Sequence, residues 1–177
     1  PACKEQLTRV DAAIRLGADA VSLDLEFDGN TDAANLRLVG AVVDEAATFQ
    51  IPLLVMLKSL HPGASVRERA LILRQLSRSM AELGARAVKL PRLDDLDCLA
   101  ELLDGIVEDV DVFFAGGGRG SDQSLIEFVA QALQGGARGF CFGRNVFQSS
   151  APEMLLDRLN SALHDRYVRP SVVAGRA

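Results

Sequence analysis

Helical and strand-like patterns alternate along the chain with no linker or low-complexity stretch between them. Leu7, Val10, Ala13 and Ile14 fall at helical spacing over residues 4 to 16, Gly17 stops that helix, and AVSLDLEF (20 to 27) then alternates apolar with polar. A second helix is predicted from Thr31 and Asp32 to about Phe49, ahead of the buried strand run PLLVMLK (52 to 58). A third starts at Ser65, where Glu68 three residues on completes a capping box, and ends at Gly84 before RAVKL (86 to 90). A short acidic helix (94 to 104) leads to DVFFA (111 to 115). Ser121 caps a helix to about Leu133, GFCF (139 to 142) is the last strand, and a closing helix runs from about Pro152 to Tyr167. Residues 168 to 177 read as a frayed tail.

Repeated αβ alternation with short connections predicts parallel strands covered by helices. The chain also repeats its own junction: LGADAVSL (16 to 23), LGARAVKL (83 to 90) and GGARGFCF (135 to 142) each end a helix on a glycine, which aligns Ser22, Lys89 and Cys141. Strand parity puts Ser22, Asp24 and Glu26 on one face and Val21, Leu23, Leu25 and Phe27 on the other. The apolar face must meet the helices. The polar face then looks inward, as in a TIM (β/α)8 barrel whose site lies at the strand C-termini. Such a barrel takes about 250 residues, roughly 31 per unit, so 177 residues have room for five units. The expectation is a single domain over 1–177 holding the C-terminal five units, strands 4 to 8, of a truncated barrel, a reading in keeping with a start at Pro1 and not at Met. A doubly wound open sheet is the rival.

Composition narrows the function. With 49% hydrophobic and 24% charged residues the chain can bury a core, and a net charge of −5 argues against nucleic acid or an anionic membrane surface as partner. No apolar run approaches the roughly 20 residues of a membrane span. Cys3, Cys98 and Cys141, an odd number at scattered spacing, favour a reducing compartment, and the cytoplasm is expected. The basic residues are sixteen arginines and only three lysines, Lys4, Lys58 and Lys89, which makes each lysine position informative.

Two glycine-rich strand ends suggest anion binding. In DVFFAGGGRGS (111 to 121), Gly116, Gly117 and Gly118 let backbone approach an anion, and the following helix offers free N–H groups. In GFCFGRN (139 to 145), Gly143 and Arg144 end the next strand, and loops after the last two strands of such barrels often bind phosphate. The alternative is a tight turn and a surface arginine. Lys89 lies on the inward face of a short strand. It is either a snorkelling or salt-bridged lysine, paired with Asp24 or Glu26, or a Schiff-base nucleophile. At an ordinary lysine pKa of about 10.4 only about one amine in 2,500 is neutral at pH 7, so burial or a neighbouring cation must favour the neutral form. Lys58, ending the preceding strand, is either that cation, a proton-transfer group or a solvated loop lysine. Asp24 and Glu26 are candidates for hydroxyl binding or proton transfer. His61 reads as part of a turn, His164 as a helix C-terminal residue, and neither spacing suggests a metal ligand.

GADAV, IPLLVML, GARAVKL, FFAGGG and GARGFCFGRNVFQ, with a helix ending in Leu163 and His164, closely resemble the class I aldolase superfamily of deoxyribose-phosphate and archaeal-type fructose-bisphosphate aldolases, in order over residues 10 to 165. The resemblance implies a TIM barrel in which Lys89, ending the sixth strand, forms the Schiff base. It also implies phosphate held by Gly116, Gly117, Gly143 and Arg144, no metal or other cofactor, and assembly into a homo-oligomer. Two departures matter. Relatives place a proton-transferring tyrosine where MLKSLHPG puts Lys58, and they draw an Asp and a His from a first strand that this chain does not include. The leading expectation is a lyase acting on a phosphorylated ketose such as fructose bisphosphate. The alternatives are a heptulosonate synthase or phosphopentanone thiolase on the same scaffold, a non-catalytic phosphosugar-binding homologue, and an isomerase or epimerase using Asp24 or Glu26 as base.

Overall fold

The computed structural model of the chain describes residues 4–93 and 95–168. Five strands, β1 (Val21–Phe27), β2 (Leu53–Ser59), β3 (Ala87–Leu90), β4 (Asp111–Ala115) and β5 (Gly139–Cys141), pair in parallel in the order in which they occur. The helices α1 (Val10–Arg15), α2 (Asp32–Thr48), α3 (Val66–Glu82), α4 (Asp97–Leu103), α5 (Asp122–Gln134), α6 (Arg144–Phe147) and α7 (Pro152–Val168) fill the connections and close the chain. A doubly wound sheet needs a reversal of strand order to put helices on both faces. None occurs here, and right-handed crossovers running one way lay every helix on the same face. The architecture is a five-unit arc of a TIM barrel.

Burial follows from that one-sided cover. Leu25, Phe27, Val55, Leu57, Val88, Leu90, Val112 and Phe114, at alternate strand positions, are buried with Val39, Leu73, Met80, Leu102 and Phe128 from the helices. The opposite face carries Ser22, Asp24, Glu26, Leu54, Met56, Lys58, Ala87, Lys89, Phe113 and Cys141, all partly or fully exposed. Ser65 accepts from the Glu68 N–H while the Glu68 carboxylate takes the Ser65 N–H, so the expected capping box starts α3. Gly17, Gly84 and Gly136 close α1, α3 and α5 with φ of 87, 96 and 102°, which makes the junction repeat one structural device used three times.

Three expectations need correction. The first helix begins at Val10 and not at residue 4, because Leu7 is 94% exposed and no core contact rewards a helical turn there. Arg144 does not end a strand: β5 stops at Cys141, Gly143 caps α6, and Arg144 opens that short helix. The sequence repeat is also not the ladder register. Asp24 is level with Met56, Lys89, Phe113 and Gly139, whereas Ser22 pairs with Leu54 one level below and Cys141 with Ala115 one level above. Closing a sheet into a barrel requires such a stagger between neighbouring strands. Of the expected tail, Val168 ends α7 and residues 169–177 lie outside the described residues. Among the described residues no helix is long and apolar enough to cross a membrane.

Candidate functional site

Lys89 projects from β3 on the open face, flanked at its own level by Met56 of β2 and Phe113 of β4. Its one hydrogen bond among the described residues goes to the Met56 sulfur, at 3.6 Å from Nζ, and no carboxylate there lies within ion-pair distance of the amine. The Phe113 ring lies over Gly139, where a Cβ would come within 3.0 Å of it. Lys89 is therefore half-buried, with its amine on a thioether, and the Phe113 ring turns toward β5.

The carboxylates expected near Lys89 are engaged elsewhere. Lys58 Nζ donates to Asp24 Oδ2 at 2.9 Å and lies 3.5 Å from Glu26 Oε1, and Lys4 stands 3.9 Å from both side chains. The bond to Asp24, and the charges of Asp24 and Glu26, push the Lys58 amine above the ordinary lysine range despite some opposing desolvation. Lys58 thus stays an ammonium near neutral pH, on the face that carries Lys89 and two residues past the Met56 that Lys89 touches. Asp24 Oδ1 is buried without a hydrogen-bond partner among the described residues. It lies two strands from Lys89, about 10 Å away by strand spacing.

The two glycine loops meet, but not through all the glycines alike. A Cβ on Gly116 would stand 2.0 Å from Asn145 Oδ1, so the missing side chain there makes room for Asn145. Asn145 is 7% exposed and donates from Nδ2 to the Gly118 carbonyl at 3.1 Å, clamping the loop after β4 to the start of α6. Gly117 takes φ of 69°, a conformation that L residues avoid, and its α-carbon packs on Arg92. Around Gly118 and Gly143 a Cβ would meet nothing within 4 Å, which leaves open space on the two loops that Asn145 joins. Arg144 is exposed beside it, and its guanidinium has no hydrogen bond or ion pair among the described residues. Ser121 caps α5 by accepting from Ser124 N.

Sequence reasoning assigned no role to Asn145 or Arg92. Asn145 lies inside the GRN run, yet its partner is 27 residues away. Arg92, two residues beyond β3, reaches Ser124 on α5 and stacks over the Phe128 ring at 5.2 Å. His61 is held by Ser59, with Oγ to Nδ1 at 3.0 Å, and His164 is exposed on α7. At the end of β1, the backbone N–H groups of Thr31 and Asn30 hold Asp28 down to about 2 and order the loop beside Glu26.

Comparison with known proteins bears on this arrangement. Residues 2–149 match the family model described as DeoC/LacD family aldolase. The chain is 32% identical over 164 residues to 2-amino-3,7-dideoxy-D-threo-hept-6-ulosonate synthase 1 of Archaeoglobus fulgidus, covering 93% of this chain and 60% of that protein. It is 31% identical over 171 residues to 2-amino-4,5-dihydroxy-6-oxo-7-(phosphonooxy)heptanoate synthase of Streptomyces griseus, covering 96% and 61%. A class 1 fructose-bisphosphate aldolase of Halobacterium salinarum is 26% identical, covering 88% and 59%. The chain thus spans about 60% of the length of these relatives. Among solved structures, an archaeal fructose 1,6-bisphosphate aldolase superposes with a TM-score of 0.77 at 22% identity, covering 90% of this chain and 63% of that one.

Proposed function

Because the chain belongs to the DeoC/LacD aldolase family, we propose that it makes or breaks a carbon–carbon bond next to a phosphorylated ketone, with Lys89 as the imine-forming amine. The observation that carries this reading is the separation of the two lysines. Lys58 takes both carboxylates, and Lys89 is left with a thioether and an aromatic neighbour. In this mechanism the Lys89 amine adds to the ketone carbon, water leaves, and the iminium draws electrons from the adjacent carbon. Loss of a proton there gives an enamine that attacks an aldehyde. Hydrolysis then frees the β-hydroxy ketone and the amine. Asp24, at the same ladder level with its side chain 38% exposed, is the candidate to bind a substrate hydroxyl or take that proton. Gly117, Gly118, Gly143 and Arg144 surround the space proposed for phosphate.

The substrate class follows from the chemistry of the relatives' products. A 4,5-dihydroxy-6-oxo-7-phosphonooxy heptanoate, the product named for the Streptomyces relative, breaks as an aldol between C4 and C5. The fragments are dihydroxyacetone phosphate and a four-carbon amino aldehyde. Aldol cleavage of fructose bisphosphate releases the same ketone phosphate. We therefore assign dihydroxyacetone phosphate as the imine partner, on the Streptomyces product alone, since the 3,7-dideoxy product named for the Archaeoglobus relative would release hydroxyacetone. We assign synthesis of a seven-carbon amino keto acid as the reaction, since both relatives at 31–32% identity carry such a name. Borohydride trapping tests the assignment: an adduct with dihydroxyacetone phosphate in preference to hydroxyacetone is expected, and the reverse preference rejects a phosphorylated donor. A second reading, a binding protein without turnover, draws on the Lys58 ammonium standing where the family resemblance often implies a tyrosine. Binding of the ketone phosphate with no trappable adduct is its signature.

The ion cluster predicts a pH effect. A raised lysine pKa contributes stability fully present below the unfolded value, near 10.5, and lost as pH rises through the folded one. Lys58 therefore remains a cation throughout the range in which an imine forms. Lys58→Met removes that cation and frees two carboxylates near the reacting amine. The pH of half-maximal trapping is expected to rise by about one unit. An unchanged profile would show that Lys58 has no electrostatic role.

A further inference from the structure

On the helix side of the sheet, at the C-terminal ends of β2 and β3, a cavity of about 250 Å³ opens against the first turn of α3. Its apolar back is Val66, Leu73 and Leu93, and its polar wall is Ser59, Arg69 and Arg92. It lies on the side of the sheet opposite Lys89, because Ser59 shares strand parity with the buried Leu57 and not with Lys58.

Two guanidinium groups border this small space, and neither has an ion pair among the described residues. Arg69 is exposed and its guanidinium makes no hydrogen bond or ion pair among the described residues. Arg92 Nη2 donates to the Ser124 carbonyl at 3.3 Å and to Ser124 Oγ at 3.4 Å, but its Nε is buried with no partner among the described residues. A buried N–H donor without an acceptor is costly to keep, and a guanidinium beside one wants an anion. The wall of α3 adds little to this field. Its capping box satisfies the Glu68 N–H and holds the Glu68 carboxylate at Ser65, which offsets the positive end of this 17-residue helix, so the positive field at the cavity comes from the two arginines.

We propose that this cavity binds a phosphate monoester or free phosphate, at a site separate from the glycine loops of β4 and β5. Two guanidinium forks beside one small space suit a phosphoryl group, which accepts from more than one side. The volume falls just below the roughly 300–1,000 Å³ of sites for larger ligands, so the space admits free phosphate or a small phosphate monoester. The inference does not depend on Lys89 chemistry.

Calorimetric titration with inorganic phosphate at low ionic strength tests it, on an Arg144→Gln background that weakens the other proposed phosphate site. Arg69→Gln disturbs no packing and is expected to weaken phosphate binding by about tenfold, the effect of losing one charge-assisted bond. Arg92→Lys, which keeps the charge but loses the Nε–H, is expected to weaken it as well. Arg78→Gln, an exposed control elsewhere on α3, is expected to change nothing. Unchanged affinity in both cavity variants, an equal loss in the control, or no phosphate binding on this background overturns the proposal. Repeating the titration with glycerol 3-phosphate separates the sources: tighter binding of the ester, lost in Arg69→Gln, assigns a phosphorylated metabolite, and equal affinity assigns free phosphate.

Discussion

Replacing Lys89 by methionine is expected to abolish the borohydride-trapped adduct with dihydroxyacetone phosphate and to lower carbon–carbon bond turnover by on the order of 10⁴-fold or more, because removing a covalent nucleophile removes the pathway and not one contact of it. Methionine keeps much of the volume and apolar stem of lysine, and the neighbours at this level are Met56 and Phe113. The fold should therefore survive with small loss. Mass spectrometry of the trapped protein locates the adduct, and circular dichroism checks the fold. An adduct that persists in Lys89→Met, or one mapped to Lys58, removes the assignment of the imine to Lys89. Isomerisation or epimerisation of a phosphosugar that persists in that variant would instead favour an isomerase or epimerase using Asp24 or Glu26 as base.

The second large effect is expected from Gly116→Ala. One added methyl group would stand 2.0 Å from Asn145 Oδ1, with the ring of Phe142 at 3.1 Å on another side. Asn145 must turn away, and its bond to the Gly118 carbonyl breaks with it. Overpacking of this kind costs about 1–3 kcal/mol, and the loop proposed for phosphate loses its clamp. The melting temperature should fall, and KM for a phosphorylated substrate should rise about tenfold or more while kcat changes less. The physical cause is checkable by a double-mutant cycle. Asn145→Ala makes room for the new methyl group, so Gly116→Ala should cost little in that background, with a coupling of about 0.5–3 kcal/mol. Additive losses would mean that the clash is relieved some other way.

Most of the fold is legible in the chain because its determinants are local. The capping box at Ser65 and Glu68, the helix-ending Gly17, Gly84 and Gly136, and the period-two alternation of β1 each act within a few residues. The first helix misled because Leu7 has the right spacing but no core to meet. Spacing reports a stripe, and only the packed molecule supplies the surface that the stripe would cover. The position of Lys89 on the open face was readable from strand parity. The identity of its neighbours was not, since Met56 and Phe113 come from adjacent strands whose stagger differs from the sequence repeat.

The same division runs through the candidate site. The sequence by itself determined the number and order of the β/α units, the face on which Asp24, Glu26, Lys58 and Lys89 lie, and the two glycine loops beside each other, because alternation and turn chemistry are short-range. Only the tertiary structure decided which lysine receives the carboxylates, that Gly116 is bare to admit Asn145, and that Arg69 and Arg92 border one cavity. Those are contacts between residues about 20 to 35 positions apart. Charge pairing and close packing depend on distances of a few ångströms, and such distances are set by the stagger and crossover of strands, not by spacing along the chain.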